Sequence, residues 1–457
     1  MSHRETRPGR RPLAATAVLM LLAGGGTAVT TQLTAATASA ATVPLAATPP
    51  MGWNPWTYLR CSGTMNEKTV KANIDAMVTS GLKAAGYAYV NLDDCWAAQQ
   101  RGADGRLQAD PVRFPSGIKS LADYAHAKGL KFGVYSSAGT ATCAGVGPGT
   151  KGFPGGQGHE AVDADTWYSW GVDYLKYDAC NSTPPAANDP ENKARYQAMG
   201  DALKAAGQRY GRQIVYSICD PVPSAPTWAP TMGNLWRTTG DIGRKYGSMT
   251  ANFHENSKLS AYAKPGAWND PDMLLTGNYH MSDNDPARPG LNPVEERSQF
   301  SLWAEMAAPL IISTDLPAQL QEKAAGVERG RTTFDVLLNK DVIAVDQDPL
   351  GKQGTVVSRV DLLPPLPNNR VRDRLDERFA TVLTKPLADG SRAVTLTNEG
   401  DTDRAMSTNT TEIGLRGADN YTVKDLWTKQ VTVYTGSYFH FTVPAHATVM
   451  ITVTPTN

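Results

Sequence analysis

Between about residues 50 and 345, short β-rich runs alternate with longer stretches that have helical spacing or loop character. Runs of β-branched and aromatic residues are typical of strands, and apolar positions three or four residues apart are typical of helices. Strands are predicted at residues 52–56, 87–92, 131–135, 172–177, 214–218, 234–238, 266–268 and 309–313. Helices are predicted at residues 68–85, 118–128, 163–170, 191–206, 295–308 and 334–340.

This alternation amounts to eight strand–helix units, which favours an α/β fold of the (β/α)8 TIM barrel type. A doubly wound parallel sheet is the alternative. After Gly351 the long helical patterns stop, and strands are predicted at residues 393–397, 421–426, 431–434 and 448–453. We therefore predict a catalytic barrel over residues 41–351, followed by a small antiparallel β-sandwich over residues 352–457. The Pro- and Arg-rich residues 362–377 are expected to form an exposed loop.

The first forty residues have the pattern of a secretory signal peptide. Four arginines precede an apolar run at residues 13–29, and small residues then lead to Ala38-Ser39-Ala40. This order predicts export and cleavage after Ala40, by the general or the twin-arginine route. A membrane anchor is the alternative, but small residues and three consecutive glycines make the run poorly suited to a membrane-spanning helix. We expect a secreted protein that is not attached to a membrane after cleavage.

Composition narrows the possible partners. The chain has 44 Lys and Arg residues and 44 Asp and Glu residues, so its formal net charge is zero and gives no electrostatic case for nucleic acid or anionic membrane as a partner. Hydrophobic residues make up 41% of the chain, which argues against disorder and against a polytopic membrane protein.

Acidic residues recur at or just after the ends of the predicted strands. In a barrel these ends meet on one face, whereas in an open sheet they spread along an edge. A single aspartate there is usually a turn or cap residue, but several on one face favour a functional site. The six residues are Asp93, Asp94, Asp178, Asp220, Asp241 and Asp272.

Paired carboxyl groups are what glycoside hydrolysis requires, one as nucleophile and one as acid and base. Lys176 and Asp178 point to the same side of their strand, and a neighbouring cation keeps a carboxylate ionised for nucleophilic attack. Asp241 is the candidate acid/base, with Arg237 placed to hold hydroxyl groups. Because aromatic rings pack on apolar sugar faces, we assign Trp56 to the sugar site and Trp53 to the core.

A metal site is a separate possibility. Asp93 and Asp94, or the segment at 269–272, could hold a hard cation. The sequence has no EF-hand spacing and no His/Cys ligand cluster, and its histidines are scattered. We therefore predict no metal and no cofactor.

Several longer motifs follow one another along the chain. They are Met-Gly-Trp-Asn at 51–54, Asn-Leu-Asp-Asp-Cys-Trp at 91–96, Gly-Arg-Leu-Gln-Ala-Asp at 105–110, Phe-Pro-Ser-Gly at 114–117, and the segments 174–180, 236–241, 268–273 and 345–351. In this order they resemble glycoside hydrolase family 27, the α-galactosidase (melibiase) family. The resemblance covers about residues 48–351, and the remainder resembles the C-terminal β-sandwich of the family.

The resemblance implies a retaining exo-glycosidase that releases terminal α-D-galactosyl residues through a covalent glycosyl–aspartate intermediate. Asp178 matches the nucleophile and Asp241 the acid/base. Asp93 and Asp94 match the pair that binds the axial 4-hydroxyl and the 6-hydroxyl. The other matched positions are Lys176 at the 3- and 4-hydroxyls, Arg237 and Asp220 at the 2-position, and Trp56, Tyr135 and Asp272 elsewhere in the pocket.

The resemblance also implies pairings for four of the five cysteines. Cys61 with Cys95, and Cys143 with Cys180, match disulfides of the family. Cys219 is then expected to be a free thiol.

Two departures from the family affect substrate choice. After Cys219 the family usually has Glu, Gln or Asn and then Trp-Gly, whereas this chain has Asp220 and then Pro-Val-Pro. A carboxylate suits a free 2-hydroxyl, so an N-acetylgalactosaminidase is disfavoured. Residues 277–293 are longer than usual and could reshape the aglycone side. The alternatives are a β-L-arabinopyranosidase, a non-catalytic secreted sugar-binding protein and, weakest, a structural secreted protein.

Overall fold

The structure is a computed structural model that describes residues 44–145, 152–182, 189–278, 290–364, 366 and 372–456. The predicted signal peptide at residues 1–40 and most of the long segment 277–293 lie outside these residues. In the described part, no helix combines the length and the apolar character needed to cross a membrane.

Eight parallel strands form one curled sheet, in the order β7-β6-β5-β4-β3-β2-β1-β8. Leu274, just after β7, pairs with Ile312 of β8, and its amide donates to the Ile311 carbonyl at 2.8 Å, so the sheet closes on itself. The predicted barrel is confirmed, and the doubly wound alternative is wrong. The strands are β1 Met51–Trp53, β2 Tyr89–Asn91, β3 Lys131–Ser137, β4 Tyr174–Asp178, β5 Val215–Cys219, β6 Leu235–Arg237, β7 Trp268–Asp270 and β8 Leu310–Ile312.

Helices surround the barrel and turn their apolar sides to it. In α3, for example, Ile118, Leu121, Ala122 and Ala125 are buried at helical spacing. Helix α8 begins with Asn292 and Glu295 in a capping box and with proline in its first turn. The helices are α1 Trp56–Leu59, α2 Glu67–Thr79, α3 Gly117–Ala127, α4 Glu160–Trp170, α5 Asp189–Tyr210, α6 Ala225–Trp228, α7 Tyr246–Asn256, α8 Pro293–Glu305, α9 Leu316–Ala324, α10 Glu328–Leu337 and α11 Lys340–Asp346.

The first predicted strand, at 52–56, is too long. Strand β1 ends at Trp53, and Pro55 is the N-cap of α1, which begins at Trp56. Proline has no amide hydrogen for a sheet ladder, whereas its fixed φ suits a helix start. Trp56 is therefore a helical residue, and the argument from strand alternation does not apply to it.

The C-terminal strands form the predicted β-sandwich. A six-stranded antiparallel sheet has the order β14-β13-β16-β11-β10-β9, and β12 pairs with β15. Val394 and Tyr421 of the larger sheet share a buried core with Phe439 of the smaller one. The strands are β9 Thr355–Asp361, β10 Phe379–Pro386, β11 Arg392–Asn398, β12 Arg404–Asn409, β13 Asn420–Asp425, β14 Val431–Thr435, β15 Tyr438–Val443 and β16 Thr448–Thr456.

The sandwich packs on the barrel through α7, α8 and α11. Lys385 of β10 is buried, and its ammonium group donates to the carbonyls of Ala304 at 3.0 Å and Val345 at 2.5 Å. The indole of Trp427 donates to Ser301 of α8 at 2.9 Å. These bonds join α8 and α11 of the barrel to β10 and to the turn after β13 of the sandwich. The predicted boundary at Gly351 lies between α11 and β9.

Candidate active site

The six aspartates singled out in the sequence all lie at the carboxyl end of the barrel strands. Asp178 is the last residue of β4, and Asp220 directly follows β5. The other four lie two to four residues beyond β2, β6 and β7: they are Asp93, Asp94, Asp241 and Asp272. The barrel topology therefore brings them to one face.

Lys176 and Asp178 form the first half of the site with residues from β2 and β3. The Lys176 ammonium lies 2.8 Å from Asp93 Oδ2 and 5.3 Å from the centre of the Tyr135 ring. The Tyr135 hydroxyl donates to Asp178 Oδ2 at 3.0 Å, and the Ala179 amide donates to Asp178 Oδ1 at 2.9 Å. Tyr135 and Lys176 are neighbours because β3 and β4 pair in that register.

The charges of this half depend on burial and pairing. Burial raises the pKa of Asp178, while the Lys176 charge and the hydrogen bonds from Ala179 and Tyr135 act in the opposite direction. Burial would lower the pKa of Lys176, but the nearby carboxylates, first of all Asp93, raise it well above its ordinary value. Lys176 therefore stays charged.

Asp93 and Asp94 are held by amide groups. Asn54 Nδ2 donates to Asp93 Oδ2 at 2.8 Å. The amides of Cys95 and Ala144 donate to the two oxygens of Asp94, at 2.6 Å and 2.8 Å. Burial nevertheless raises the pKa of Asp94 to about 6. The site predictions missed Asn54, although it belongs to the motif at 51–54.

Two disulfides flank these carboxylates. Cys61 pairs with Cys95, next to Asp94, and Cys143 pairs with Cys180, two residues after Asp178. Cys219 is a buried free thiol. The structure thus contains both of the pairings that the family resemblance implied.

Arg237 organises the other half of the site. Its Nη2 atom lies 3.1 Å from Asp241 Oδ1 and 3.1 Å from Asp272 Oδ2. The Arg237 and Asp272 side chains are 3% and 5% exposed, whereas Asp241 is 80% exposed. Desolvation by the surrounding protein raises the pKa of Asp241. The Arg237 guanidinium outweighs this effect and holds that pKa below its ordinary value. Asp241 is thus an ionised carboxylate whose outer side faces solvent.

A small cavity of about 30 Å³ joins the two halves. Lys176 from the first half and Arg237 and Asp272 from the second are among the residues that line it. Asp270, which the site predictions also missed, lies in the same wall, and burial raises its pKa to about 6. The two clusters therefore share one polar interior.

Trp56 and Asp220 complete the positions considered from the sequence. Trp56 is partly exposed at the start of α1, and its amide donates to Asn54 Oδ1 at 2.8 Å. Asp220 is buried beside the end of β5. Trp53 is fully buried, and its indole donates to the Thr314 carbonyl, as a core residue does.

One group of three potential metal-ligand residues occurs in the described chain, namely Cys143, Asp178 and Cys180. Its two sulfurs are bonded to each other and offer no thiolate. Asp93 and Asp272, which the sequence left open as cation ligands, are paired with Lys176 and Arg237. Side-chain cations thus already balance these carboxylates.

Known proteins share both parts of this architecture. Residues 48–348 match the family model described as Alpha galactosidase A, and residues 378–453 match the one described as Alpha galactosidase C-terminal beta sandwich domain. Alpha-galactosidase 2 of Arabidopsis thaliana is 40% identical over 411 residues, which cover 90% of each chain.

Solved structures resemble the same two-part chain. Alpha-galactosidase I from Mortierella vinacea superposes with a TM-score of 0.76 at 30% identity, covering 91% of this chain and 99% of that one. A β-L-arabinopyranosidase from Geobacillus stearothermophilus gives a TM-score of 0.70 at 23% identity, covering 90% and 97%. The second likeness is one of fold alone.

Proposed function

Because this chain belongs to the melibiase family, glycoside hydrolase family 27, we propose that it hydrolyses terminal, non-reducing α-D-galactosyl residues of galactosides and galacto-oligosaccharides. The observation that carries the proposal is the pair of carboxylates at the carboxyl end of the barrel strands, which we call the barrel mouth. Asp178 lies in a cluster with a charged lysine, and Asp241 lies in a cluster with a charged arginine; Lys176 and Arg237, the two cations, line one polar cavity.

The first chemical step is assigned to both carboxylates. An oxygen of Asp178 attacks the anomeric carbon, the glycosidic C–O bond breaks, and its electron pair goes to the leaving oxygen. For this step Asp241 must carry a proton, which the second step restores to it. It gives that proton to the leaving oxygen, so a neutral alcohol departs and galactose remains esterified to Asp178. The exposed side of Asp241 suits this role, because the leaving group must approach it from solvent.

Water completes the reaction in the second step. Asp241, now a carboxylate, takes a proton from water, whose oxygen attacks the anomeric carbon and displaces Asp178. Two inversions at one carbon give net retention of configuration. Arg237 favours the carboxylate form of Asp241, which is the form needed as a base in this step.

The remaining residues are assigned to the sugar. Asp93 and Asp94 bind the 4- and 6-hydroxyls, and Lys176 binds the 3- and 4-hydroxyls. Lys176 is already paired with Asp93, and amides of Cys95 and Ala144 already hold the Asp94 carboxylate, which lowers the cost of ordering these groups around a ligand. Arg237 and Asp220 are assigned to the 2-hydroxyl. Trp56, Tyr135 and Asp272 shape the rest of the pocket.

A panel of nitrophenyl glycosides tests the proposal. The parent enzyme should turn over the α-galactoside faster than the β-L-arabinopyranoside, and the α-N-acetylgalactosaminide least. NMR of the first product formed should show the α-anomer. Faster turnover of the arabinopyranoside would indicate a β-L-arabinopyranosidase instead. Binding of galactose without turnover of any substrate would indicate a non-catalytic sugar-binding protein.

We also propose that the chain is secreted after cleavage behind Ala40 and that residues 41–351 and 352–457 are its two domains. Disulfides next to the site fit an oxidising compartment. N-terminal sequencing of protein recovered from the medium should start at Ala41. Retention of the full-length chain in the cell would contradict this.

A further inference from the structure

The connection between β9 and β10 is much longer than a hairpin needs. These strands are antiparallel neighbours, and Asp361 at the end of β9 pairs with Phe379 at the start of β10. Two to five residues usually close such a hairpin, but here residues 362–378 intervene. Long connections inside compact domains are often functional, so the position of the described residues 372–378 is informative.

Residues 372–378, which we call the sandwich arm, dock on the barrel at the start of α7. The Leu375 carbonyl lies so close to Gly247 that a Cβ at this position would overlap it. Arg378 Nη1 donates to the carbonyls of Leu375 at 3.0 Å and Glu377 at 2.7 Å, and its guanidinium lies 5.8 Å from the centre of the Tyr246 ring. The arm therefore contacts the start of α7 through the Leu375 carbonyl and the Arg378 side chain.

This anchoring places Arg374 beside the proposed acid/base. A Cβ built on Gly240, the residue before Asp241, would lie 4.0 Å from Arg374 Nη2. Arg374 is exposed, and it makes no hydrogen bond or ion pair with any residue that the structure describes. Its five N–H donors are thus available at the rim of the site.

The chemistry of the leaving group specifies what lies at this rim. The oxygen that receives the proton from Asp241 belongs to the aglycone, so the aglycone must lie on the exposed side of Asp241. Arg237 is buried behind Asp241 and is occupied by Asp241 and Asp272. Arg374 belongs to the outer surface and can reach groups that Arg237 cannot.

We propose that Arg374, supplied by the second domain, is a specificity-determining residue of the aglycone subsite and binds hydroxyl groups of a sugar aglycone. The inference rests on the proposed function and deepens it. The planar guanidinium presents paired donors that match neighbouring hydroxyls of a pyranose. A methyl aglycone offers no such hydroxyls, so Arg374 distinguishes di- and oligosaccharides from simple galactosides.

The test compares melibiose, a galactosyl–glucose disaccharide, with methyl α-galactoside. Arg374→Ala should lower kcat/KM for melibiose by about 3- to 10-fold, less than a buried charged hydrogen bond would give, because the site is exposed. The same variant should stay within about twofold of the parent on the methyl galactoside, since no aglycone contact is lost. Arg374→Lys, which keeps the charge without the paired donors, should fall between parent and Arg374→Ala on melibiose.

Arg372→Ala is the matched control, because Arg372 belongs to the same arm but donates to the Pro364 carbonyl. It should leave the melibiose-to-methyl-galactoside ratio unchanged. An equal loss on both substrates in Arg374→Ala, or no loss on either, would overturn the inference while the parent still cleaves α-galactosides. A parent that cleaves neither substrate would overturn the proposed function and, with it, this inference.

Discussion

Two lysines of this protein lie among carboxyl groups, and their surroundings give them opposite properties. Lys176, at the barrel mouth, touches Asp93 directly, and its pKa is raised well above the ordinary value. Lys385, between barrel and sandwich, is near Glu305 and Asp346 but donates to backbone carbonyls, and burial lowers its pKa.

The carboxyl groups around the two lysines also differ, in their hydrogen-bond donors and in their pKa values. Both oxygens of Glu305 and Oδ1 of Asp346 have no hydrogen-bond donor among the described residues. Burial raises the pKa of Glu305 and of Asp346 to about 8. At the mouth, by contrast, Asp93 and Asp178 have donors for their oxygens. Direct pairing, more than the residue types, decides which cluster keeps its charges for chemistry.

The largest expected effect is on the nucleophile at the mouth. Asp178→Asn should lower kcat by a factor on the order of 10⁴ or more, because the amide cannot form the covalent intermediate. Azide should restore part of the rate and give the inverted product. The exposed Asp123→Asn makes the same chemical change away from the site and should keep the parent rate. A rate near that of the parent in Asp178→Asn would remove this residue from the mechanism.

The next effect is on stability and concerns the buried group of Lys385, Glu305 and Asp346. Lys385→Met should destabilise the fold by roughly 3–5 kcal/mol in denaturant melts, because two buried carboxyl groups lose their cation. A carboxyl group with a raised folded-state pKa stabilises fully at low pH and loses this contribution as pH rises through that pKa. The loss should therefore be greater at pH 9 than at pH 6, where groups with pKa values of about 8 are still protonated.

Lys424→Met is the control for that variant. Lys424 pairs with Asp341 at 2.8 Å across the same two domains, but both side chains are about a third exposed. Its removal should cost at most about 1 kcal/mol. Equal losses in the two variants would show that burial does not distinguish these lysines.

A somewhat smaller effect is expected from removing the Cys143–Cys180 disulfide beside the nucleophile. Cys143→Ser combined with Cys180→Ser should destabilise the fold by roughly 2–4 kcal/mol. Activity should fall as well, because Ala144, next to Cys143, donates to Asp94. Thiol titration of the denatured, unreduced parent should find one free cysteine. Three or five free thiols would contradict the pairing.

The smallest change removes one hydrogen bond from the mouth. Tyr135→Phe deletes the hydroxyl that donates to Asp178 and keeps the ring beside Lys176. That hydroxyl lowers the pKa of Asp178, so the acid limb of the kcat/KM profile should move to higher pH. Tyr124→Phe, at a surface hydroxyl bonded to Asp75, should leave the limb in place. A shift in the other direction would mean that Asp178 does not set this limb.

The barrel was predictable because its strands and most of its helices have distinct apolar patterns. Helix α7 was missed, since its sequence is mostly small and polar, although nearly all of it is buried. Its polar groups find partners in the sandwich: His254 Nε2, for example, lies 2.9 Å from Glu399 Oε1. Strand β9 was missed for a different reason, because none of its residues is buried and no alternation marks it.

The site also contains residues that the sequence predicted and residues that it did not. Aspartates at strand ends could be grouped from topology, because a barrel brings those ends together. The bond from Asn54 to Asp93 and the cavity wall that Asp270 shares with Lys176 join residues far apart in the sequence, which local patterns do not encode. Arg374 is the extreme case: the sequence predicts only an exposed loop for its segment, and its approach to Gly240, next to Asp241, depends on the contact between the sandwich arm and α7.

The strand order also has a consequence for how the chain is made. The first barrel strand is completed by the last: β1 pairs with β8, and the indole of Trp53 donates to a carbonyl 261 residues further along. During synthesis β1 keeps one unpaired edge until β8 has emerged, and such an edge is a template for pairing with other chains. Ring closure over this distance is slow compared with helix formation. The interval between emergence of the first and last strands is therefore when a nascent chain is most exposed to aggregation.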